Sequence, residues 1–313
     1  LIENSAKLVA NGTFDISAIN GGTSIKSLDG SGTVVLGSKE LSLSAANDSF
    51  SGEITGSGTV VLKAGSQTFT GVNTYTGSTS VSTGTLFISG SGSIATSAKL
   101  LANGTFDISG TTSGASIKSL DGLNTGDVVL GSKTLTITAA NDSFAGEISG
   151  TGAVTLSSGT QTFTNANTYS GLTTINGGTL IVTDADALGT TAAGTVIANG
   201  ATLDLQNISV GNESLTINGG TLKTSTGTSS LSATVALGAN SNIVVSGTQL
   251  TLSGVISGSY GITKTGSGIL VLSGDNSYTG ATIINAGTLS VSALADGGSD
   301  SNIGASSNAA SNL

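Results

Sequence analysis

The chain has 313 residues, 48 of them glycine, and its formal net charge at pH 7 is −9. It contains no His, Cys, Pro, Met or Trp, and all nine of its basic residues are lysine. These absences exclude a Ser-His-Asp triad, an imidazole base, a thiol nucleophile and a disulfide framework. The acidic balance without arginine argues against binding to nucleic acid or to anionic membrane surfaces.

Internal repeats organise the chain. Residues 7–17 recur almost unchanged at 99–109 and in degenerate form at 195–205. Further copied segments are 24–30 with 116–122, 45–54 with 139–148, and 67–77 with 161–171 and in part with 275–280. We therefore expect one continuous fold of three tandem modules, at about 1–92, 93–187 and 188–313.

Within each module the sequence predicts short strands and turns. The runs 41–44, 59–62, 134–138 and 268–272 alternate or cluster β-branched and apolar residues. Gly, Asn, Asp and Ser bound such runs at short, regular intervals, and no window shows an apolar stripe at helical spacing. The chain is therefore predicted to be all-β.

A repetitive all-β chain can form an array of sandwiches, a propeller or a parallel solenoid. The absence of proline suits strands that pair on both sides, and the scarcity of charges and large aromatic residues suits a narrow interior. Gly-Thr-Leu recurs at Gly84, Gly178, Gly220 and Gly287, each time before a strand, as a corner would. These features favour a parallel β-solenoid of about 13–15 coils.

Residues 266–291 resemble the autotransporter-associated β-strand repeat, also called the passenger-associated transport repeat. The shared pattern is G-x-G-x-L-x-L-x-G-x-N-x-Y-x-G, followed by T-x-I and G-T-L-x-V. Close matches occupy 56–88 and 150–182, and the segments 187–205 and 294–308 also resemble this family. The resemblance implies a right-handed parallel β-helix that reaches the bacterial surface by type V secretion.

The resemblance does not imply one activity, because such passengers include adhesins, proteases, esterases and toxins. No signal peptide opens the sequence at Leu1, no apolar run approaches the length of a membrane span, and no C-terminal membrane domain follows. The sequence also stops at 311–313, where the repeat leads us to expect another strand. We therefore expect a fragment of a longer passenger, exported through the outer membrane, that does not itself insert into a membrane.

Paired carboxylates are the best candidates for catalysis. Asp48 with Glu53, and Asp142 with Glu147, could serve a polysaccharide-cleaving enzyme if each pair faced a groove. However, the corresponding stretch of the third module, near 253–259, has no acidic residue. We therefore expect these residues to cap corners through Asx turns.

The sequence gives even less support for a calcium site, a nucleophilic serine or a phosphate-binding loop. Asp184 with Asp186, and Asp296 with Asp300, bring carboxylates together in loops, but neither segment matches a known calcium-binding loop. No G-x-S-x-G occurs, and the G-x-G pairs enter strands rather than helices, so they are predicted to be corners. We assign no catalytic, cofactor-binding or metal-ligating residue, and we expect no cofactor.

The repeats also share Asn, Tyr and Phe residues, for which structural roles are expected. Interior or corner roles that satisfy backbone groups are expected for Asn73, Asn167 and Asn276. The tyrosines that follow, Tyr75, Tyr169 and Tyr278, are expected to pack between coils, with a repeated glycan-binding aromatic surface as the alternative. Stacking in the core is predicted for Phe14 with Phe106, Phe50 with Phe144, and Phe69 with Phe163.

The sequence as a whole predicts a non-enzymatic bacterial cell-surface β-helix, either an adhesin or the stalk that presents one. Its expected partners are glycans or matrix proteins of a host or neighbouring cell, or copies of itself. A self-assembling extracellular filament and a polysaccharide-active enzyme are the alternatives.

Overall fold

The computed structural model describes residues 7–307, and every regular element within them is a β-strand. The expectations placed on the two ends of the chain, before residue 7 and after residue 307, lie outside the described residues. Strand β12 (Thr85–Gly90) shows why the sequence forms strands. Leu86 and Ile88 are buried while Thr85 and Phe87 are half-exposed, so apolar side chains alternate across the strand.

The first strands are β1 (Leu8–Val9), β2 (Thr13–Asp15), β3 (Thr23–Ile25), β4 (Leu28–Asp29), β5 (Thr33–Val35), β6 (Leu41–Leu43), β7 (Ser49–Phe50), β8 (Glu53–Thr55), β9 (Val60–Leu62), β10 (Ser66–Phe69), β11 (Thr79–Val81), β12 (Thr85–Gly90), β13 (Leu100–Ala102), β14 (Thr105–Thr111), β15 (Ala115–Ile117), β16 (Leu120–Asp121), β17 (Asp127–Val129), β18 (Leu135–Ile137), β19 (Ser143–Phe144) and β20 (Glu147–Ser149).

The remaining strands are β21 (Val154–Leu156), β22 (Thr160–Phe163), β23 (Thr173–Ile175), β24 (Thr179–Val182), β25 (Thr195–Ile197), β26 (Thr202–Leu205), β27 (Ser209–Val210), β28 (Leu215–Asn218), β29 (Thr221–Thr224), β30 (Thr228–Leu231), β31 (Val235–Ala239), β32 (Ser241–Val245), β33 (Gln249–Leu252), β34 (Ile256–Ser257), β35 (Ile262–Thr265), β36 (Ile269–Leu272), β37 (Thr282–Ile284) and β38 (Thr288–Val291).

The chain forms two compact units, one up to Val154 and one from Thr155. In the first unit, one sheet runs β3-β6-β9-β11-β13-β16, a second runs β7-β10-β12-β14-β17-β20, and a third runs β2-β5-β8. The strands paired in these sheets run parallel, and similar residues lie over one another from turn to turn. For example, Leu86 pairs with Phe106, which pairs with Val128, which pairs with Ile148.

The second unit follows the same plan. Its sheets run β22-β24-β26-β29-β32-β35-β37, β23-β25-β28-β31-β34 and β27-β30-β33-β36-β38. The described residues thus form a parallel β-solenoid of about 14 turns, which confirms the predicted fold class and number of coils. The right-handed sense and the division into three modules stay predictions.

Glycine corners let successive turns approach closely. The first glycines of the G-x-G pairs at Gly30, Gly56, Gly90, Gly150 and Gly266 all have positive φ angles, which confirms their prediction as corners. A Cβ atom at Gly56 would lie 2.6 Å from the carbonyl oxygen of Gly37, and one at Gly150 would lie 2.6 Å from that of Gly131. Both the backbone angle and the spacing therefore require glycine at these two corners.

Candidate functional site

The three asparagines of the repeated Asn-x-Tyr segments are buried and bind backbone groups of adjacent turns. Asn73 Oδ1 accepts a hydrogen bond from the Ile54 amide at 3.0 Å, and its Nδ2 donates to the Ser93 carbonyl at 3.2 Å. Asn276 likewise accepts from Ile256 at 2.7 Å. The predicted interior role of these residues is confirmed, since their side chains are buried and hydrogen-bond to backbone groups of adjacent turns.

The tyrosines that follow are completely buried. The hydroxyl of Tyr75 lies 2.6 Å from Thr79 Oγ1, and Tyr169 and Tyr278 make the same contact with Thr173 and Thr282. Burial raises the pKa of all three phenols, that of Tyr278 to about 12. The alternative of a repeated aromatic surface for glycans is therefore wrong, because none of these rings reaches solvent, and their expected packing role is confirmed.

Of the six phenylalanines predicted to stack in the core, five fill the interior. Phe50, Phe69, Phe106, Phe144 and Phe163 are buried, with at most 1% of each side chain exposed. Phe14, near the beginning of the described chain, is only half-buried.

In the first repeat, the two carboxylates considered for catalysis take separate partners. Lys7 Nζ lies 2.7 Å from Asp29 Oδ2 and 3.2 Å from Asp48 Oδ1, so one ammonium joins carboxylates from two further turns. Glu53 instead accepts a hydrogen bond from Thr74 Oγ1 at 2.5 Å. The hydrogen bond from Lys7 holds the pKa of Asp29 below its usual value.

The second repeat copies the lysine with its two aspartates. Lys99 Nζ lies 2.6 Å from Asp121 Oδ2 and 3.2 Å from Asp142 Oδ1. These carboxylates raise the pKa of Lys99 by accepting its hydrogen bonds, and the bond to Asp121 acts most strongly. The copied triads join neighbouring turns, and Asp48 and Asp142 serve the stacking of the turns rather than a shared groove.

The acidic loops considered for calcium form turns. Asp184 Oδ1 accepts a hydrogen bond from the Asp186 amide at 2.9 Å, and the Asp296 carbonyl accepts one from the Ser299 amide at 3.0 Å. Within residues 7–307 no group of three or more acidic, His or Cys side chains could hold a metal ion together. The same residues include no helix with the length and hydropathy needed to cross a membrane.

Three buried charged residues were missed by the sequence analysis, namely Lys264, Glu213 and Asp204, the last of which pairs with Lys223. Lys264 is fully buried, and its Nζ donates hydrogen bonds of 2.9–3.0 Å to the carbonyls of Thr265, Gly266 and Ala286. Burial lowers its pKa. In the repeat pattern Lys264 takes the place of Ile54 and of Ile148, so comparing the repeats position by position could have found it.

The second is Glu213, which is only 4% exposed. Thr195 Oγ1 donates a hydrogen bond to Oε1 at 2.7 Å, and Oε2 is buried without a hydrogen-bond partner among the described residues. Burial raises the pKa of this carboxyl. No sequence signal marked it, because a lone acidic residue beside Gly211 and Asn212 is typical of an exposed turn.

Comparison with known proteins agrees with the repeat pattern. The model of the passenger-associated-transport repeat matches residues 55–86, 149–182 and 262–291, and each segment contains one buried Asn-x-Tyr. The adhesin BmaC autotransporter of Brucella suis biovar 1 (strain 1330) is 36% identical over 133 residues. That match covers 41% of this chain and 4% of the relative, so the chain spans a small part of its length. No solved structure matches the chain.

Proposed function

Because the chain is an autotransporter passenger segment with passenger-associated-transport repeats, we propose that it is a non-enzymatic adhesin, or the stalk that presents one. Passengers of this family are exported through the outer membrane to the cell surface, and we place this segment there. Its ligands in this proposal are glycans or matrix proteins of a host or of a neighbouring cell.

The observation that carries the proposal is that side chains able to take part in catalysis or ligand binding are bonded to other turns of the solenoid. Tyr75 and Asn73, for example, are fully engaged with adjacent turns, and Asp48 and Glu53 have separate partners. The outward-facing positions of the short strands include half-exposed residues such as Ser80 and Thr68. Their hydroxyl groups suit weak, repeated polar contacts. The name of the related BmaC protein, an adhesin, supports the same class of function.

The test is binding of the purified chain to an array of glycans and extracellular-matrix proteins. We expect saturable binding to one ligand class for the adhesin, with heat-unfolded chain as the control. A folded chain that binds nothing would leave the stalk as the role of this segment. Release of reducing ends from polysaccharides during the same incubation would overturn the non-enzymatic proposal.

Self-assembly is the second candidate, and exposed strand edges favour it. Among the described residues, β37 is the last strand in its sheet, and its Ile283 and Ile284 are 48% and 52% exposed. Unpaired edges with apolar side chains can pair with another chain. Sedimentation velocity and electron microscopy decide it: concentration-dependent filaments support this candidate, whereas monomers at all concentrations contradict it.

A further inference from the structure

A polar recess of about 300 Å³ lies on the outer side of strands β3 and β6 in the first unit. Gly22, Thr23, Ser24, Glu40, Ser42 and Lys63 line it. Gly22 forms part of its wall because the backbone of Glu40 passes close by, and a Cβ atom at Gly22 would lie 2.7 Å from the Glu40 carbonyl oxygen. The volume is at the lower end of the range for small-molecule sites.

Two opposite charges face this recess without pairing with each other. The structure shows no ion pair between Glu40 and Lys63, both of which lie in the described part of the chain and are exposed. Glu40 is nevertheless held in place, because Ser42 Oγ donates to its Oε1 at 2.6 Å. Ser42 is 2% exposed, so this hydroxyl is a buried support for an exposed carboxylate.

The second repeat offers an internal comparison. It repeats the backbone pattern of the recess, since Ser116 pairs with Thr136 as Ser24 pairs with Ser42. However, it has Thr134 where the first repeat has Glu40, and Ser157 where the first has Lys63. The fold therefore accepts uncharged residues at both positions, and stacking of the turns does not require the charged pair.

We propose that this recess binds a sugar unit that carries a carboxylate, such as a uronic acid within a glycan. The inference rests on the proposed adhesin function and names one ligand class for it. The Lys63 ammonium pairs with the sugar carboxylate, and the oriented Glu40 carboxylate accepts hydrogen bonds from neighbouring sugar hydroxyls. Ser24, half-exposed beside Ser42, supplies a further hydroxyl.

The test is an NMR titration of the whole chain with sodium D-glucuronate, with D-glucose as the neutral comparison. We expect saturable shifts of the Thr23, Ser24 and Ser42 amides with D-glucuronate, and weaker binding of D-glucose. The variants Lys63→Ser and Glu40→Thr install the second repeat's own residues and should fold normally. Each should lose roughly tenfold in affinity for D-glucuronate, the effect of one charge-assisted hydrogen bond.

The outcomes separate this proposal from the adhesin function. Absence of shifts at the recess, or equal affinity in the Glu40→Thr/Lys63→Ser double variant, overturns the recess as a site. If that double variant keeps the wild-type pattern on the glycan and matrix array, adhesion stands and only the recess fails. If D-glucuronate binds at the recess while the array shows nothing, the recess stands and the adhesin proposal fails.

Discussion

Individual charged side chains are buried inside this solenoid, and Lys264 and Glu213 differ in how their polar atoms are satisfied there. Lys264 replaces a core isoleucine of the other repeats and satisfies three carbonyls, whereas Glu213 keeps one buried oxygen without a hydrogen bond among the described residues. A buried polar atom without a partner costs stability. Glu213 therefore lowers the stability of the second unit locally. The burial of Lys264, in contrast, is compensated by its three hydrogen bonds.

The pH dependence of Glu213 follows from the raised pKa of its carboxyl. In the window between its unfolded and folded pKa values, the folded chain binds more protons than the unfolded chain. Its contribution to the free energy of unfolding is therefore greatest below the unfolded pKa, near 4.5, and falls as pH rises. We expect Glu213→Gln to be more stable than the wild type at pH 7 and to lose this advantage near pH 4.

Urea denaturation at both pH values measures this difference. Glu53→Gln is the control, since that half-exposed side chain pairs with Thr74 and its removal should not give a gain at neutral pH. An equal effect of Glu213→Gln at the two pH values would show that burial does not control this carboxyl.

Glycine corners, at the scale of the element, fix where one strand ends and the next turn begins. Gly150 has a φ angle of 114°, and a side chain there would press against the Gly131 carbonyl. Gly12 has no positive φ angle, and no atom lies within 4 Å of the position of its missing Cβ. Gly150 is therefore a position where the corner requires glycine, whereas at Gly12 the structure leaves room for a side chain.

We expect Gly150→Ala to lower the free energy of unfolding by about 2 kcal/mol or more, because strain and overlap act together. Gly12→Ala should change it by less than about 1 kcal/mol, since alanine also restricts the unfolded chain. Urea denaturation followed by circular dichroism provides the measurement. Similar losses in both variants would mean that close stacking at Gly150 is not the cause.

The sequence predicts the elements better than it predicts the surface. Repeats, corner glycines and the lack of proline predict parallel stacked strands, and the inward Asn73 and Tyr75 follow from the same reasoning. The recess could not be predicted, because Gly22, Glu40 and Lys63 belong to three separate turns and meet only through strand register. Lys264 escaped because a lysine in an alternating strand is expected to face outward.

At the scale of the whole molecule, stability rests on stacking of turns without covalent or metal cross-links among the described residues. The chain has no cysteine, and residues 7–307 contain no cluster of three acidic ligands. Each turn bonds chiefly to its neighbours, as in other repeat proteins.

Removal of divalent ions should accordingly leave the stability unchanged. We expect the same melting temperature in excess EDTA and in excess calcium, as measured by circular dichroism. A higher melting temperature in calcium that disappears in Asp184→Asn or in Asp296→Asn would instead identify a calcium site in one of the acidic loops. A dithiothreitol control should have no effect, since the chain has no disulfide to reduce.

The buried tyrosines also make the molecule a natural reporter of its own unfolding. With no tryptophan, its aromatic emission above that of phenylalanine comes from four tyrosines, of which Tyr260 is exposed and the other three are each enclosed in a different repeat. Replacing two of those three with phenylalanine leaves a single buried fluorophore. The loss of structure in one chosen repeat can then be followed without attaching any dye.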